Sequence, residues 1–255
     1  MTSVEYERFF DFEQVFNFRD LGGYRTADGR QVRWRRIFRS AELHRMSLEE
    51  AERVRSELAL RTVLDLRAAG ETEHPRGFGP LIAPPVERIH FPMGNARSKY
   101  EAREVGTWDP DYSTLLEGNA DTWVEAVRLL SREEAYPALF HCVTGKDRTG
   151  VLAALVLGAI GVDDDTIVGD YALSQQAMDT LIERLRARGV IRPDEPPNPA
   201  LGVAPEAMRG LIDRLNERYD GARGFLRAHG VSGTVFDDLA GLLLEEATDS
   251  ARTPA

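Results

Sequence analysis

Apolar and polar positions divide the chain into two unlike halves. Up to about residue 142 short apolar runs alternate with helical stretches, and beyond it nearly every periodic segment reads as helix. Asp28-Gly29 between Tyr24 and Val32 predicts a hairpin turn, with Ile37-Phe38 continuing the same sheet. Ser47 and Glu50 have capping-box spacing, and Leu48, Ala51, Val54 and Leu58 follow at helical period, which predicts the first clear helix. Thr62–Leu66, Val86–Phe91 and Pro137–His141 predict short buried strands. Tyr112–Arg132 predicts a helix with Leu115, Trp123, Val127 and Leu130 inward, and Val151–Ile160 a buried helix ended by Gly161. Downstream, Asp163–Ala187, Pro205–Asp220, Ala222–His229 and Thr234–Glu246 read as helices, with Pro193–Pro199 as a linker.

Strands separated by helices predict an α/β fold: a central, largely parallel sheet flanked by helices, followed by a helical C-terminal half. Pro92–Asp111 has weak periodicity and reads as a long loop forming a lid, within an insert over about 92–133. One domain is expected over 1–247 and a flexible tail over 248–255.

Composition narrows the function. The 255 residues, 42% hydrophobic, can fill an ordinary core. Asp and Glu number 42 against 32 Lys and Arg, a net charge of -10, so attraction to nucleic acid phosphates is not expected. The single cysteine, Cys142, excludes an internal disulfide and a cysteine-rich zinc site. The five histidines show no ligand spacing, so no metal and no cofactor are expected. The longest apolar run, Val151–Ile160, is about ten residues against the roughly 20 of a membrane span. A cytoplasmic location is the default expectation, with secretion lacking a signal peptide and the oligomeric state left open. Arg30, Arg33, Arg35, Arg36 and Arg39 form a run without an acid, read either as an edge strand protected by charge or as peripheral contact with an anionic membrane.

The chemistry concentrates in His141-Cys142-Val143-Thr144-Gly145-Lys146-Asp147-Arg148-Thr149-Gly150. A cysteine at a strand end and an arginine six residues on, where a helix begins, frame a tight loop. Its backbone N–H groups, at Val143, Thr144, Gly145 and Lys146, can turn inward and bind a tetrahedral anion, assisted by the helix dipole. Arg148 would add a bidentate grip on two phosphate oxygens, and the same donors favour thiolate at Cys142. A nucleotide P-loop would need glycine at Phe140 and Ser or Thr at Asp147, and has neither. Sulfur transfer by the loop cysteine and a phospho-ligand binding module with little chemistry are the alternatives.

Strand, Cys-x5-Arg loop and helix in this order resemble the cysteine-based phosphatase superfamily. Asn17-Phe18-Arg19-Asp20-Leu21-Gly22-Gly23-Tyr24, Phe38-Arg39-Ser40-Ala41-Glu42-Leu43, Val63-Leu64-Asp65-Leu66-Arg67 and the loop itself are similar to bacterial tyrosine phosphatases of the atypical, lipid-phosphatase-like group. The resemblance implies phosphate monoester hydrolysis through a cysteinyl-phosphate, with Cys142 as nucleophile, Arg148 on the phosphoryl oxygens and Asp147 as general acid. Asp109 and Asp111 in Trp108-Asp109-Pro110-Asp111 are the alternative acids, because better-known tyrosine phosphatases carry theirs on a Trp-Pro-Asp loop at about this distance. Thr149 is expected to donate to the sulfur, His141 and Asp65 to support the loop, and Lys146 to face a substrate's further phosphates or neutralise Asp147. The implied partners are phosphotyrosine proteins or phosphoinositides.

Overall fold

The structure is a computed structural model, and it describes residues 6–73, 77–94 and 112–247. Its centre is a five-stranded sheet in the order β1 (Arg19–Asp20), β3 (Ile37–Ser40), β6 (Ala138–His141), β4 (Thr62–Asp65), β5 (Glu87–His90). β1 runs antiparallel to β3, and the other neighbours are parallel. Register aligns Ser40, His141, Asp65 and His90, so four strands end at one level. In α/β sheets that carboxyl edge is where ligands bind.

Side-chain alternation along the strands builds a core on each face. Ile37, Leu64, Ala138 and Phe140 share one cluster with Cys142 and most helices, while Phe38, Val63 and Leu139 share the other with Phe10, Phe12, Phe18 and the first helix. That helix, α1 (Leu48–Leu58), starts with the Ser47–Glu50 capping box in both directions and buries Ala51, Val54 and Leu58, as the pattern requires.

Three predicted helices are shorter than their periodicity suggests. Tyr112–Arg132 is split around Gly118-Asn119 into α2 (Tyr112–Glu117) and α3 (Ala120–Leu130). These helices bury Trp123, Val127 and Leu130 in the main core. The buried helix α4 (Asp147–Ala159) starts four residues earlier than expected, inside the Cys-x5-Arg segment. Asp163–Ala187 is interrupted at Leu173, giving α5 (Asp164–Ala172) and α6 (Ser174–Ala187). Then come α7 (Pro205–Tyr219), α8 (Gly221–Ala228) and α9 (Gly233–Leu243). Leu244–Glu246 leaves the helical path as strand β7, pairing antiparallel with β2 (Arg30–Val32).

That pairing corrects two expectations. The turn at Gly29 forms, with Arg25 bridging Gln31, yet β2 belongs to a two-stranded sheet with the C-terminal segment while Ile37-Phe38 enters the central sheet. The arginine run is not an edge strand either: β3 lies between β1 and β6, and Arg39 is fully buried. Nor does the run offer a free basic face, since Arg30 pairs with Asp28, Arg33 bonds the Leu244 carbonyl and Arg36 pairs with Glu133. Among the described residues no helix is long and apolar enough to cross a membrane. The Pro92–Asp111 lid beyond Gly94, with Asp109 and Asp111, and the tail from Thr248 lie outside the described residues.

Trp123 is fully buried and its indole N–H donates to the Leu116 carbonyl at 3.1 Å. Trp123→Ala is expected to cost about 3–5 kcal/mol, read as a lowered urea midpoint with the m-value kept.

Candidate active site

β6 delivers Cys142 directly above the carboxyl edge of the sheet, and the chain turns through Gly145 (φ 67°) into α4. A Cβ at Gly145 would stand 2.4 Å from the Ser40 carbonyl, so backbone presses on backbone there and only glycine fits.

The direction of the loop peptides follows from what holds their carbonyls. Val143 O accepts from the Glu42 amide at 3.1 Å. Thr144 O and Gly145 O accept from Asn17 Nδ2 at 3.4 and 2.9 Å, and Arg39 donates to Gly145 O at 2.8 Å and to Lys146 O at 3.4 Å. A trans peptide points its N–H away from the preceding C=O. Four carbonyls drawn toward β3 and Asn17 therefore turn the following amides the other way. The N–H groups of Val143, Thr144 and Gly145 have no hydrogen-bond acceptor among the described residues. The loop thus forms a cradle of amides on one face, its carbonyls held from behind by side chains.

Those side chains rest on Asp170. It receives Arg19 at 2.9 Å and Arg39 at 2.5 Å, and Tyr24 adds a hydroxyl at 3.0 Å; Arg19 also holds the Asn17 amide oxygen. Burial opposes the charge on Asp170, but the two guanidiniums prevail and keep its carboxyl well below the usual range. Burial, together with the neighbouring Arg19, brings Arg39 down to about 10, still charged at neutral pH. Asp170 was not singled out in the sequence, where it is one of many helical acids. Its only signal was a place within an apolar helix face beside Ile167 and Tyr171.

Cys142 is almost completely buried. Burial alone would raise its thiol, but the Arg148 charge and the hydroxyl and amide of Thr149 outweigh it and hold the thiol below its ordinary value. The Thr149 hydroxyl is buried without a hydrogen-bond partner of ordinary geometry, so its effect on the sulfur is one of proximity. Arg148 grips Glu71 with both terminal nitrogens, at 2.5 and 3.1 Å, and donates to the Leu66 carbonyl at 3.3 Å. Glu71 ends a 3-10 turn, Ala69–Glu71, just beyond β4, and the sequence reading missed it.

Asp65 does not reach Arg148. Its carboxylate takes Arg67 at 2.7 and 2.9 Å and Arg88 at 2.9 Å, and faces His141 at 3.8 Å. His141 Nδ1 donates to the Cys142 carbonyl at 3.0 Å; burial lowers the ring to about 4, against the pull of Asp65, so it is neutral at pH 7. Asp147 is buried at the start of α4 and accepts from the Tyr112 hydroxyl at 2.7 Å, with Tyr171 2.6 Å behind. Burial and the Asp147 charge raise both phenols, which stay protonated as donors. Lys146 turns away from the cradle: its ammonium donates to the Ala200 carbonyl at 2.8 Å and the Gly202 carbonyl at 2.5 Å, 3.8 Å from Asp147. Among the described residues no three His, Cys, Asp or Glu side chains group so as to hold a metal ion.

Strand, anion cradle, lowered thiol and arginine define a phosphate-handling cysteine enzyme. The sequence model of the tyrosine phosphatase family matches residues 10–245, and the chain belongs to that family. It is a cysteine-dependent phosphatase, which displaces the sulfur-transfer and binding-module alternatives. A protein of Cupriavidus necator named as a tyrosine-protein phosphatase is 32% identical over 83% of this chain and 76% of its own length. The triple specificity protein phosphatase PtpB of Mycobacterium tuberculosis is 29% identical over 90% of this chain and 97% of its own. Among solved structures, the core catalytic domain of the PP-IP phosphatase SIW14 from S. cerevisiae overlaps with a TM-score of 0.39 at 19% identity, covering 68% of this chain and 94% of that one.

Two outcomes follow from the buried charges. Asp170→Ala leaves Arg19 and Arg39 buried without their counter-ion, and is expected to cost about 3–5 kcal/mol in urea unfolding. His141 takes up its proton near pH 6.5 when unfolded and only near about 4 when folded. The unfolded state then binds more protons between those values, so this contribution is complete above pH 6.5 and fades as pH falls toward 4. Asp20, which burial raises to about 6, works in the opposite sense over much of that window. The difference in stability between the unmutated protein and His141→Gln cancels Asp20, and should shrink by about 3 kcal/mol between pH 7 and pH 4. A pH-independent difference would refute the buried neutral histidine.

Proposed function

We propose that this chain hydrolyses the phosphate monoester of phosphotyrosine in proteins, with Cys142, Arg148 and Asp147 as its catalytic residues. The observation that carries the reading is the outward anchoring of the Val143–Lys146 carbonyls, which turns the Thr144 and Gly145 amides toward an anion beside a thiol of lowered pKa. In the first step the Cys142 thiolate attacks phosphorus in line with the ester oxygen. The S–P bond forms, the P–O bond to the leaving group breaks, and Asp147 gives its proton to the departing oxygen. In the second, water attacks the cysteinyl-phosphate, Asp147 takes its proton back, and the S–P bond breaks with the thiolate restored. Arg148 exchanges part of its grip on Glu71 for two equatorial phosphoryl oxygens, and the Val143, Thr144, Gly145 and Lys146 amides bind the charge that develops there.

Tyr112 holds the Asp147 carboxyl in place through its 2.7 Å hydrogen bond, which supports a positioned acid at this residue. Thr149 lowers the leaving tendency barrier of the sulfur in the second step by stabilising the thiolate. His141 and Asp65 set the first peptide of the loop. Met178, Leu181 and Leu185 of α6 form an apolar wall next to Val143 and Thr144, against which an aromatic ring can pack. Phosphoserine, phosphothreonine and phosphoinositides are the comparison substrates, and the mycobacterial relative carries triple specificity in its name. The reading takes residues 1–247 as one catalytic domain.

Cys142→Ser is expected to reduce aryl phosphate turnover to background while phosphate binding, measured by calorimetry, persists. Asp147→Asn should lower kcat by roughly 10²- to 10⁴-fold on an ester with a poor leaving group and far less on one with a good leaving group. Equal losses on both esters would assign the acid to another residue. Glu71→Ala frees Arg148 of its positioning partner and should raise KM more than it lowers kcat, by about tenfold in kcat/KM, with Glu71→Gln falling between the two.

A further inference from the structure

Beside the cradle lies a cleft of about 190 Å³, bounded by Val143 and Thr144 of the loop, Ala41 and Glu42 beyond β3, and α6. Its wall is apolar, but its charged residues are unbalanced: Arg45, Arg184 and Arg188 against Glu42 alone. Glu42 is already taken by Arg67 at 3.3 Å. Arg184 is committed as well, lying 4.6 Å over the Phe16 ring and donating to the Glu13 carbonyl. Arg45 and Arg188 are exposed; among the described residues neither guanidinium makes a hydrogen bond or a close ion pair, and the Arg45 charge acts on Glu42 only at longer range. They stand on separate elements, Arg45 between β3 and α1 and Arg188 at the C-terminal cap of α6.

We propose that this cleft is the specificity site for phosphotyrosine segments rich in acid, with Arg45 and Arg188 receiving Asp or Glu side chains that flank the phosphorylated tyrosine. The inference rests on the phosphotyrosine reading above and goes further by naming the sequence context. Three observations carry it. The cleft shares Val143 and Thr144 with the loop, so a chain lying along Met178, Leu181 and Leu185 runs beside the phosphorylated residue. The two exposed cations sit at different points of the cleft's rim, which suits an extended chain carrying separate carboxylates. A compact polyphosphate headgroup would need cations gathered at the cradle itself, and there the remaining candidate, Lys146, is bonded to the Ala200 and Gly202 carbonyls. Such local attraction runs against the overall charge of -10, which disfavours long-range approach of an acidic partner. Selectivity should therefore reside in short-range contacts and weaken with salt.

The experiment compares kcat/KM on three phosphotyrosine peptides with Glu, Gln or Lys at the positions flanking the tyrosine, beside a plain aryl phosphate. The unmutated protein is expected to prefer the Glu peptide over the Gln peptide by roughly tenfold at low salt, with the ratio falling as salt rises to about 0.5 M. Arg45→Ala and Arg188→Ala should each lower that ratio by about threefold, and Arg188→Glu should shift preference toward the Lys peptide. Folding of each variant is checked by its thermal midpoint, and the readout is a ratio within one protein, so a partly inactive sample does not mimic the effect. Turnover of the aryl phosphate with all three peptides equal, or a Glu preference kept in the Arg45→Ala/Arg188→Ala double variant, would overturn the specificity site and leave the phosphatase intact. Failure to turn over the aryl phosphate at all would overturn both. Preference for a phosphoinositide in mixed micelles over every peptide, lost in the same double variant, would reassign the cleft to a lipid headgroup.

Discussion

The loop that carries Cys142 is shaped by where its carbonyls go. Asn17, Arg39 and the Glu42 amide take the oxygens of Val143, Thr144, Gly145 and Lys146, and peptide planarity then turns the amides toward the place an anion would occupy. Amides aimed at one point repel each other and would relax in a free loop, so the arrangement needs restraint from outside. Arg39 and Arg19 supply it, and both depend on Asp170 for neutralisation in a fully buried setting. The energetic cost of burying three charges is thereby tied to the preorganisation of the site.

A second network sits on the opposite side of the cysteine. Asp65, Arg67, Arg88 and Glu42 fix the ends of β4 and β5, and Glu71 positions Arg148 from the turn that follows β4. Neutral His141 ties the two sides together through the Cys142 carbonyl without adding a charge that would compete with Arg148. The thiol is lowered by few groups, chiefly Arg148 and Thr149, working against complete burial. A larger cavity of about 330 Å³ among Phe9, Phe12, Phe16 and α6 lies beside Asn17 rather than at the cysteine, and the wall that the two cavities share is Phe16 and Arg184.

Elements with a local cause were readable in the chain. The Ser47–Glu50 capping box, the turn at Gly29 and the parallel strands with their alternating faces all stand where their patterns put them. What failed had non-local causes. Thr234–Glu246 keeps helical periodicity to its end, yet β2 captures Leu244–Glu246 as a strand. Arg39 looked like one more surface arginine because a buried guanidinium differs from an exposed one only by its partner, and that partner lies 131 residues away.

By itself the sequence determined the chemistry: a cysteine at a strand end, glycine where a positive φ is needed, and an arginine six residues on at a helix start are short-range requirements, met within ten consecutive residues. Only the tertiary structure decided how that chemistry is held and bounded. Glu71 faces Arg148, Tyr112 holds Asp147, Lys146 is drawn to the Ala200 and Gly202 carbonyls, and Arg45 and Arg188 are left open to solvent. The reason is physical: hydrogen bonds and ion pairs between distant segments leave no periodicity in the chain, whereas turns, caps and strand alternation are written in neighbouring residues.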